Sequence, residues 1–216
     1  MNSSAQVIGF VVALVSALQA SQALGDPIAA AVLPLPEQLR AGATVVRLDA
    51  SLQPQVLRQG SNGMVCIADK PNDDRFDVRC YRDTFIPVVY RAFQLGYAVA
   101  GAKVGDEIKA GKLQLSNQPT AGYRCLGPAT GYDASSNSLS PEVDCWESVH
   151  FPFQTAEELG LPDESVVPKS QTRGMPFVMG SGTYWAHVMI KHPPGQRVAV
   201  PAPQPPAPSS DAAHQH

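Results

Sequence analysis

Strong charge bias, close cysteine pairs and nucleotide-binding glycine loops are all missing from this chain. Its 16 basic and 19 acidic residues leave a formal charge of −3. So mild a balance gives no electrostatic footprint for nucleic acid or an anionic membrane, and neither is expected as a partner. No phosphate loop, dinucleotide fingerprint or haem-attachment run occurs. Ser61 and Ser181 stand in "GSNG" and "GSG", not in the G-x-S-x-G of a nucleophile elbow. Asp69, Asn72, Asp73 and Asp74 lack the alternating ligands, fixed glycine and distal glutamate of an EF-hand. The cysteines are not spaced C-x2-4-C as zinc sites use them. No cofactor and no metal are expected. Internal repeats are absent, and no second apolar run approaches the roughly 20 residues that a bilayer span takes.

Lysine and arginine are also absent before Arg40. Val7 to Leu18 is an apolar run followed by the small residues Ser21-Gln22-Ala23. Its length and exit fit a secretory signal over residues 1–23, although only the terminal amine supplies positive charge. An uncleaved anchor or a buried helix is the alternative. No cysteine marks a lipid anchor and no twin arginine precedes the run. At the other end, residues 193–216 are proline-dense with little to bury, which reads as a disordered tail. Its His214 and His216 are more simply incidental than metal ligands. Residues 24–192 suit one globular domain, in the periplasm or outside the cell.

Between these ends, Pro36 opens a short turn through Glu37–Arg40, with Gly42 after it. Val45–Leu48 is a β-branched strand, and "RFDVRCY" alternates at period two. Val56–Arg58 and Met64–Ile67 flank Asn62-Gly63, which predicts two strands around a tight turn there or around a longer loop centred on Gly60 to Gly63. The best helical stretch follows Asp83-Thr84, with Pro87 in its first turn and glycines at 96, 101 and 105. "AGYRCLGPA", "DCWESVHFPF", Phe177–Met179 and Trp185–Ile190 read as strands. "TGYDASSNSLSPEV" reads as a polar surface loop, and "TAEELG" as a capped helical turn closed by Gly160. The expectation is a single α+β domain: an antiparallel sheet of about five to seven strands, with one main helix on one face.

Four cysteines in an exported chain argue for disulfides, in any of three connectivities. Reflection about a turn at Asn72-Asp73 places Cys66 opposite Cys80, and a turn near Ser135 does the same for Cys125 and Cys145. Those are the expected bridges, each worth roughly 3 kcal/mol in the chain-entropy picture. A catalytic cysteine would need a free thiol beside a base. Asp69 to Asp74 reads as a solvated turn. The alternation of Arg75, Arg79 and Arg82 with Asp74, Asp77 and Asp83 reads as a solvated face. His150 and His187 sit on expected strands beside apolar residues; they are structural histidines, or they meet as a base or ligand pair. Trp146, Tyr184 and Trp185 either line a pocket or pack the core, the simpler reading being the core.

The segments "LPEQLRAGATVV", "LRQGSNGMVCIAD…RCY" and "AHVMI" together resemble a group of small exported bacterial proteins without an assigned activity. The shared pattern is Arg-x-Gly-x-Asn-Gly-x-x-Cys, a second cysteine, then His-Val-Met-Ile. It falls here on Arg58, Gly60, Asn62, Gly63, Cys66, Cys80 and His187–Ile190. The resemblance implies no reaction. It makes Cys125 and Cys145 a local addition and so favours pairing each cysteine with its neighbour. The functional expectation is an exported, non-catalytic structural or ligand-binding domain. Its candidate contacts to a small-molecule or protein ligand are Arg58, Asn62, His150 and His187. The alternative is a small hydrolase-like enzyme using His187, His150 and Asn62.

Overall fold

A computed structural model describes residues 26–192, the side chains of residues 97–99 excepted; the signal and tail segments lie outside the described residues. The chain begins with two short helices. α1 is Pro27–Ala31, capped by the Asp26 carboxylate, which accepts from the Ile28 N–H; α2 is Glu37–Arg40, opened by Pro36. Strands β1 (Thr44–Leu48), β2 (Pro54–Arg58), β3 (Met64–Ile67) and β4 (Arg75–Arg82) follow. A 3-10 turn at Asp83–Phe85 then leads into α3 (Ile86–Leu95) and α4 (Tyr97–Lys109). Next come β5 (Thr120–Pro128), a miniature hairpin of β6 (Tyr132–Asp133) and β7 (Ser138–Leu139), and β8 (Asp144–His150). The chain ends with α5 (Ala156–Leu159), β9 (Phe177–Met179) and β10 (His187–Lys191).

The fold is a single mixed α+β domain around one eight-stranded sheet in the order β2-β1-β3-β4-β5-β8-β10-β9, with β6-β7 as a separate pair. The strand count exceeds the expected five to seven. The sheet is also not wholly antiparallel, because β1 and β3 run parallel. The hairpin expected across Asn62-Gly63 does not form. β2 turns back on β1, and β3 pairs with β1's other side. The tightest hairpin turn needs positive φ at both central residues; of these two, only Gly63 has it, at 73°. Pro54 is tolerated at the start of β2 because that strand is an edge.

Helices cover both faces, not one. On one face, α1 and the segment after it bury Ala31, Val32 and Leu35 against Val45, Cys66 and Cys80. Phe76 and Val78 join the same side with Ala30 and Leu33. On the other, α3 presses Ile86 and Val89 onto Val46, Ile67 and Tyr81. The long helical stretch breaks at Gly96, whose φ of 74° no helix allows, and continues through Gly101 and Gly105. The disulfides are Cys66–Cys80 and Cys125–Cys145, each between directly opposed residues of adjacent strands. The box at Thr155 and Glu158 caps α5, and Gly160 ends it in the left-handed conformation. Among the described residues no helix is long and apolar enough to cross a membrane.

Candidate functional site

Arg58 and Asn62 belong to a clasp on the backbone. The Arg58 guanidinium donates to the carbonyls of Arg40 (2.6 Å) and Ala43 (3.0 and 3.1 Å), closing the C-terminal end of α2. Asn62 Nδ2 donates to the Leu39 carbonyl at 2.7 Å, and Oδ1 accepts from the Met64 N–H at 3.0 Å. The Ser61 and Asn62 amides both donate to the Gly42 carbonyl. Between them, Gly60 lies so close to residues 42–44 that a Cβ there would sit 2.3 Å from their backbone. The Arg-x-Gly-x-Asn-Gly run therefore grips the turn between α2 and β1. Its polar atoms are committed to that turn, not to a cleft.

His150 and His187 do meet. They are register partners on β8 and β10, with ring centroids 4.8 Å apart. Phe85 (4.4 Å), Trp185 (5.2 Å) and Tyr81 (5.8 Å) enclose His150, which is 1% exposed. His187 Nδ1 lies 2.7 Å from the Trp185 carbonyl, which can only accept, so Nδ1 carries the proton. Ser148 Oγ donates to the Gly122 carbonyl at 3.3 Å and lies 3.3 Å from His150 Nε2. With its one proton engaged there, the hydroxyl can only accept from His150, which assigns the proton to Nε2 and leaves the buried Nδ1 without a partner. Burial lowers the pKa of both rings: that of His150 falls well below 6.5, helped by the neighbouring His187, while the Trp185 carbonyl and Glu164 partly restore that of His187. Both are neutral imidazoles at pH 7. Gly122 makes the space, since a Cβ there would lie 2.7 Å from Ser148 Oγ and 3.0 Å from His150 Nε2.

An open concavity lies elsewhere. Being parallel, β1 and β3 end on the same side, and there a cleft of about 720 Å³ opens between Leu48, Ile67, the start of β4 and Phe93 of α3. Arg47, Asp49, Asp69, Lys70, Asp73, Arg75, Asp77 and Arg79 supply its charges. Arg79, 6% exposed, and Arg124 are cross-strand partners, and both bind the Asp77 carboxylate; the Arg124 bonds are 2.7 and 2.9 Å. Burial pushes the Asp77 carboxyl up, but the bonds and charges of Arg124 and Arg79 outweigh it and the net shift is downward. Arg79 also lies 5.0 Å above the Phe93 ring, and Arg124 and Lys191 lie over Trp146 at 5.3 and 5.2 Å. Asp69 accepts from the Asp77 N–H at 2.8 Å. Its carboxyl is pushed up to about 6 by burial and by the charges of Asp73 and Asp77. The Nε–H of Arg47 is buried without a hydrogen-bond partner.

The expected solvated face on β4 is thus half wrong. Arg79 is buried and Asp77 half-buried, because α3 covers the side of the strand that carries them. The turn reading holds for Pro71–Asp74 and fails for Asp69. A signal for these residues was present: "VRCY" and "YRCL" each place an arginine beside a cysteine. Adjacent strand residues point to opposite faces, so two cysteines buried on one side put both arginines on the other. Of the aromatics, Tyr184 packs the core against Val104, and Trp146 is held between cations rather than lining the cleft. Among the described residues no group of three or more histidine, cysteine or acidic side chains is arranged to hold a metal. No protein-family model, curated protein or solved structure matches the chain.

Proposed function

We propose that the chain is an exported, non-catalytic domain that binds a small molecule in the cleft at the ends of β1 and β3, and that it belongs with the small exported proteins its motif resembles. The observation that carries this reading is the cleft itself, about 720 Å³, where Asp49, Asp69, Lys70, Asp73 and Arg75 have no ion-pair partner among the described residues. The size is that of small-molecule sites, and apolar walls at Leu48, Ile67 and Phe93 beside a few polar groups are their usual lining. Two disulfides and the N-terminal signal pattern support export. Thermal-shift screening of small carboxylates, phosphates and peptides at pH 7.5 tests the binding. One ligand class should raise the melting temperature of the native protein, and the rise should vanish in Leu48→Arg, which fills the cleft. No shift with any class, or an equal shift in the variant, overturns the reading. For export, Leu24 should be the first residue of protein recovered outside the cytoplasm; full-length chain held in the membrane would contradict it.

A second reading, a small hydrolase-like enzyme, draws on the contact between His150 and His187 and on Ser148 at 3.3 Å from His150. Asn62 lends it nothing, since both its amide atoms bind backbone. Ester hydrolysis by the purified protein that disappears in both His187→Ala and Ser148→Ala would favour this reading; no turnover removes it.

A further inference from the structure

Within the cleft, Arg79 and Arg124 already match Asp77. The remaining charges divide by exposure. Asp49, Lys70, Asp73 and Arg75 are exposed at the rim, two of each sign, where solvent and salt screen them. Arg47 lies deeper, but strand alternation sends it to the sheet face opposite Val46 and Leu48. That leaves Asp69, a half-buried carboxylate with no ion-pair partner among the described residues. It stands on the apolar side of the cleft. Val46 is opposite Ile67, and the Ala68 N–H donates to the Val46 carbonyl at 2.8 Å, so the ladder runs on past Ile67. Two residues on, Asp69 keeps the side of Ile67, roughly 7 Å along the strand. On that side Leu48, Ile67 and Phe93 pack in one apolar cluster.

Leu52 extends this wall against a backbone cost. Its φ of 59° lies in the left-handed region, which a bulky side chain rarely adopts. Asp49 pins the turn that imposes it: its carboxylate accepts from the Ser51 and Gln53 N–H groups at 2.8 and 2.9 Å. Glycine or asparagine would carry the turn with less strain. Leucine there sets an apolar side chain on the cleft.

Resting on the reading of this cleft as a ligand site, we infer that its ligand is a primary amine with an apolar body, its ammonium on Asp69 and its body against Leu48, Leu52, Ile67 and Phe93. A carboxylate or phosphate would meet repulsion from Asp69, and a neutral ligand would bury that carboxylate further without pairing it. A bare cation would leave the apolar wall in water. An aromatic ring on a two-carbon linker, or a short alkyl chain, has the length to reach from Asp69 to Ile67. Free organic amines and the N-terminal residue of an apolar peptide share this head and body, and the probes below separate the two sources.

Three probes of one shape read the inference by isothermal titration of the purified protein at pH 7.5: 2-phenylethylamine, 2-phenylethanol and 3-phenylpropionate. At that pH the amine and the Asp69 carboxyl, pushed up to about 6, are both charged. The amine should bind about tenfold or more tighter than the alcohol, the worth of one charge-assisted hydrogen bond, and the carboxylate weakest of all. Asp69→Asn keeps an acceptor for the Asp77 N–H and should erase the preference for the amine. Leu52→Gly should weaken amine and alcohol alike and leave the preference intact; unchanged binding would overturn the part given to Leu52. Leu-Leu amide reads the source: binding tighter than 2-phenylethylamine assigns the site to a peptide N-terminus, weaker binding to a free amine. Equal binding of amine and alcohol, or a preference that survives Asp69→Asn, would overturn the amine and leave the cleft a ligand site. Binding of no probe up to millimolar concentrations would overturn the inference, while a hit in the carboxylate, phosphate and peptide screen would still uphold the cleft.

Discussion

The histidine box and the charged cleft share a face of one sheet and treat polar groups in opposite ways. β4 carries members of both: Tyr81 reaches the box, and Asp77 and Arg79 reach the cleft. In the box, burial strips the charge from His150 and His187, and glycine at 122 lets strand, hydroxyl and rings close on each other. In the cleft, the charges are kept, and among the described residues only those of Asp77 and Arg79 are matched, with Arg124 sharing the carboxylate. The lesson is that buried polarity alone does not mark a site. The box is sealed and neutral, whereas the cleft is open and holds charges without an ion-pair partner among the described residues.

The largest effect should come from breaking the matched part of the cleft. Asp77→Ala leaves Arg79 buried beside Arg124 without their shared carboxylate, a change worth about 3–5 kcal/mol when a buried pair is broken. Urea unfolding of the disulfide-intact protein reads it, and a loss under about 1 kcal/mol, the ordinary worth of a surface pair, would show the trio to be solvated. Filling the box comes next. Gly122→Ala forces a methyl against Ser148 and His150 and should cost about 1–3 kcal/mol. An unchanged unfolding midpoint would mean the box is looser than its contacts imply.

The two regions should also answer pH with opposite signs. Histidines held below their ordinary value contribute stability that is complete above about 6.5 and lost as pH falls, because the unfolded chain then takes up protons that the box refuses. Asp69, raised from 3.8 to about 6, works the other way: its contribution is complete below 3.8 and lost as pH rises through about 6. Unfolding midpoints at pH 7.5 and 5 should differ less in His150→Phe than in the native chain. Asp69→Asn has the smallest effect. It should stabilise the protein at pH 7.5 by about 1 kcal/mol, after discounting for its partial exposure, and do nothing at pH 4. A variant less stable at pH 7.5 would mean that Asp69 has a cation partner.

Local features were readable from the residues. The Thr155–Glu158 box, the turn begun by Pro36 and the opposition of Cys66 to Cys80 each depend on a few neighbouring side chains. Strand order was not. Asn62-Gly63 flanked by two apolar runs is as good a hairpin signal as the chain contains, yet β1 lies between those runs. That outcome is decided by Arg58, Gly60 and Asn62 gripping residues 39–43, a tertiary contact with no local mark. The cleft was missed for the same reason. Asp77 and Arg79 look like surface alternation until α3 is placed over their side of β4, and Asp69 looks like turn chemistry until Asp77, whose N–H it receives, is placed beside it. The meeting of His150 with His187 followed from strand pairing, but its sealed character depends on Phe85 and Trp185.

The central claim, that the cleft holds unbalanced charge ready for a ligand, can be read from one nucleus. The side-chain carboxyl carbon of Asp69, followed by NMR as pH is varied, should titrate with a midpoint of about 6 in the free protein. A ligand taken from the thermal-shift screen should move that midpoint at saturation. A free-protein midpoint at or below 3.8, or one that ignores the bound ligand, would contradict the account.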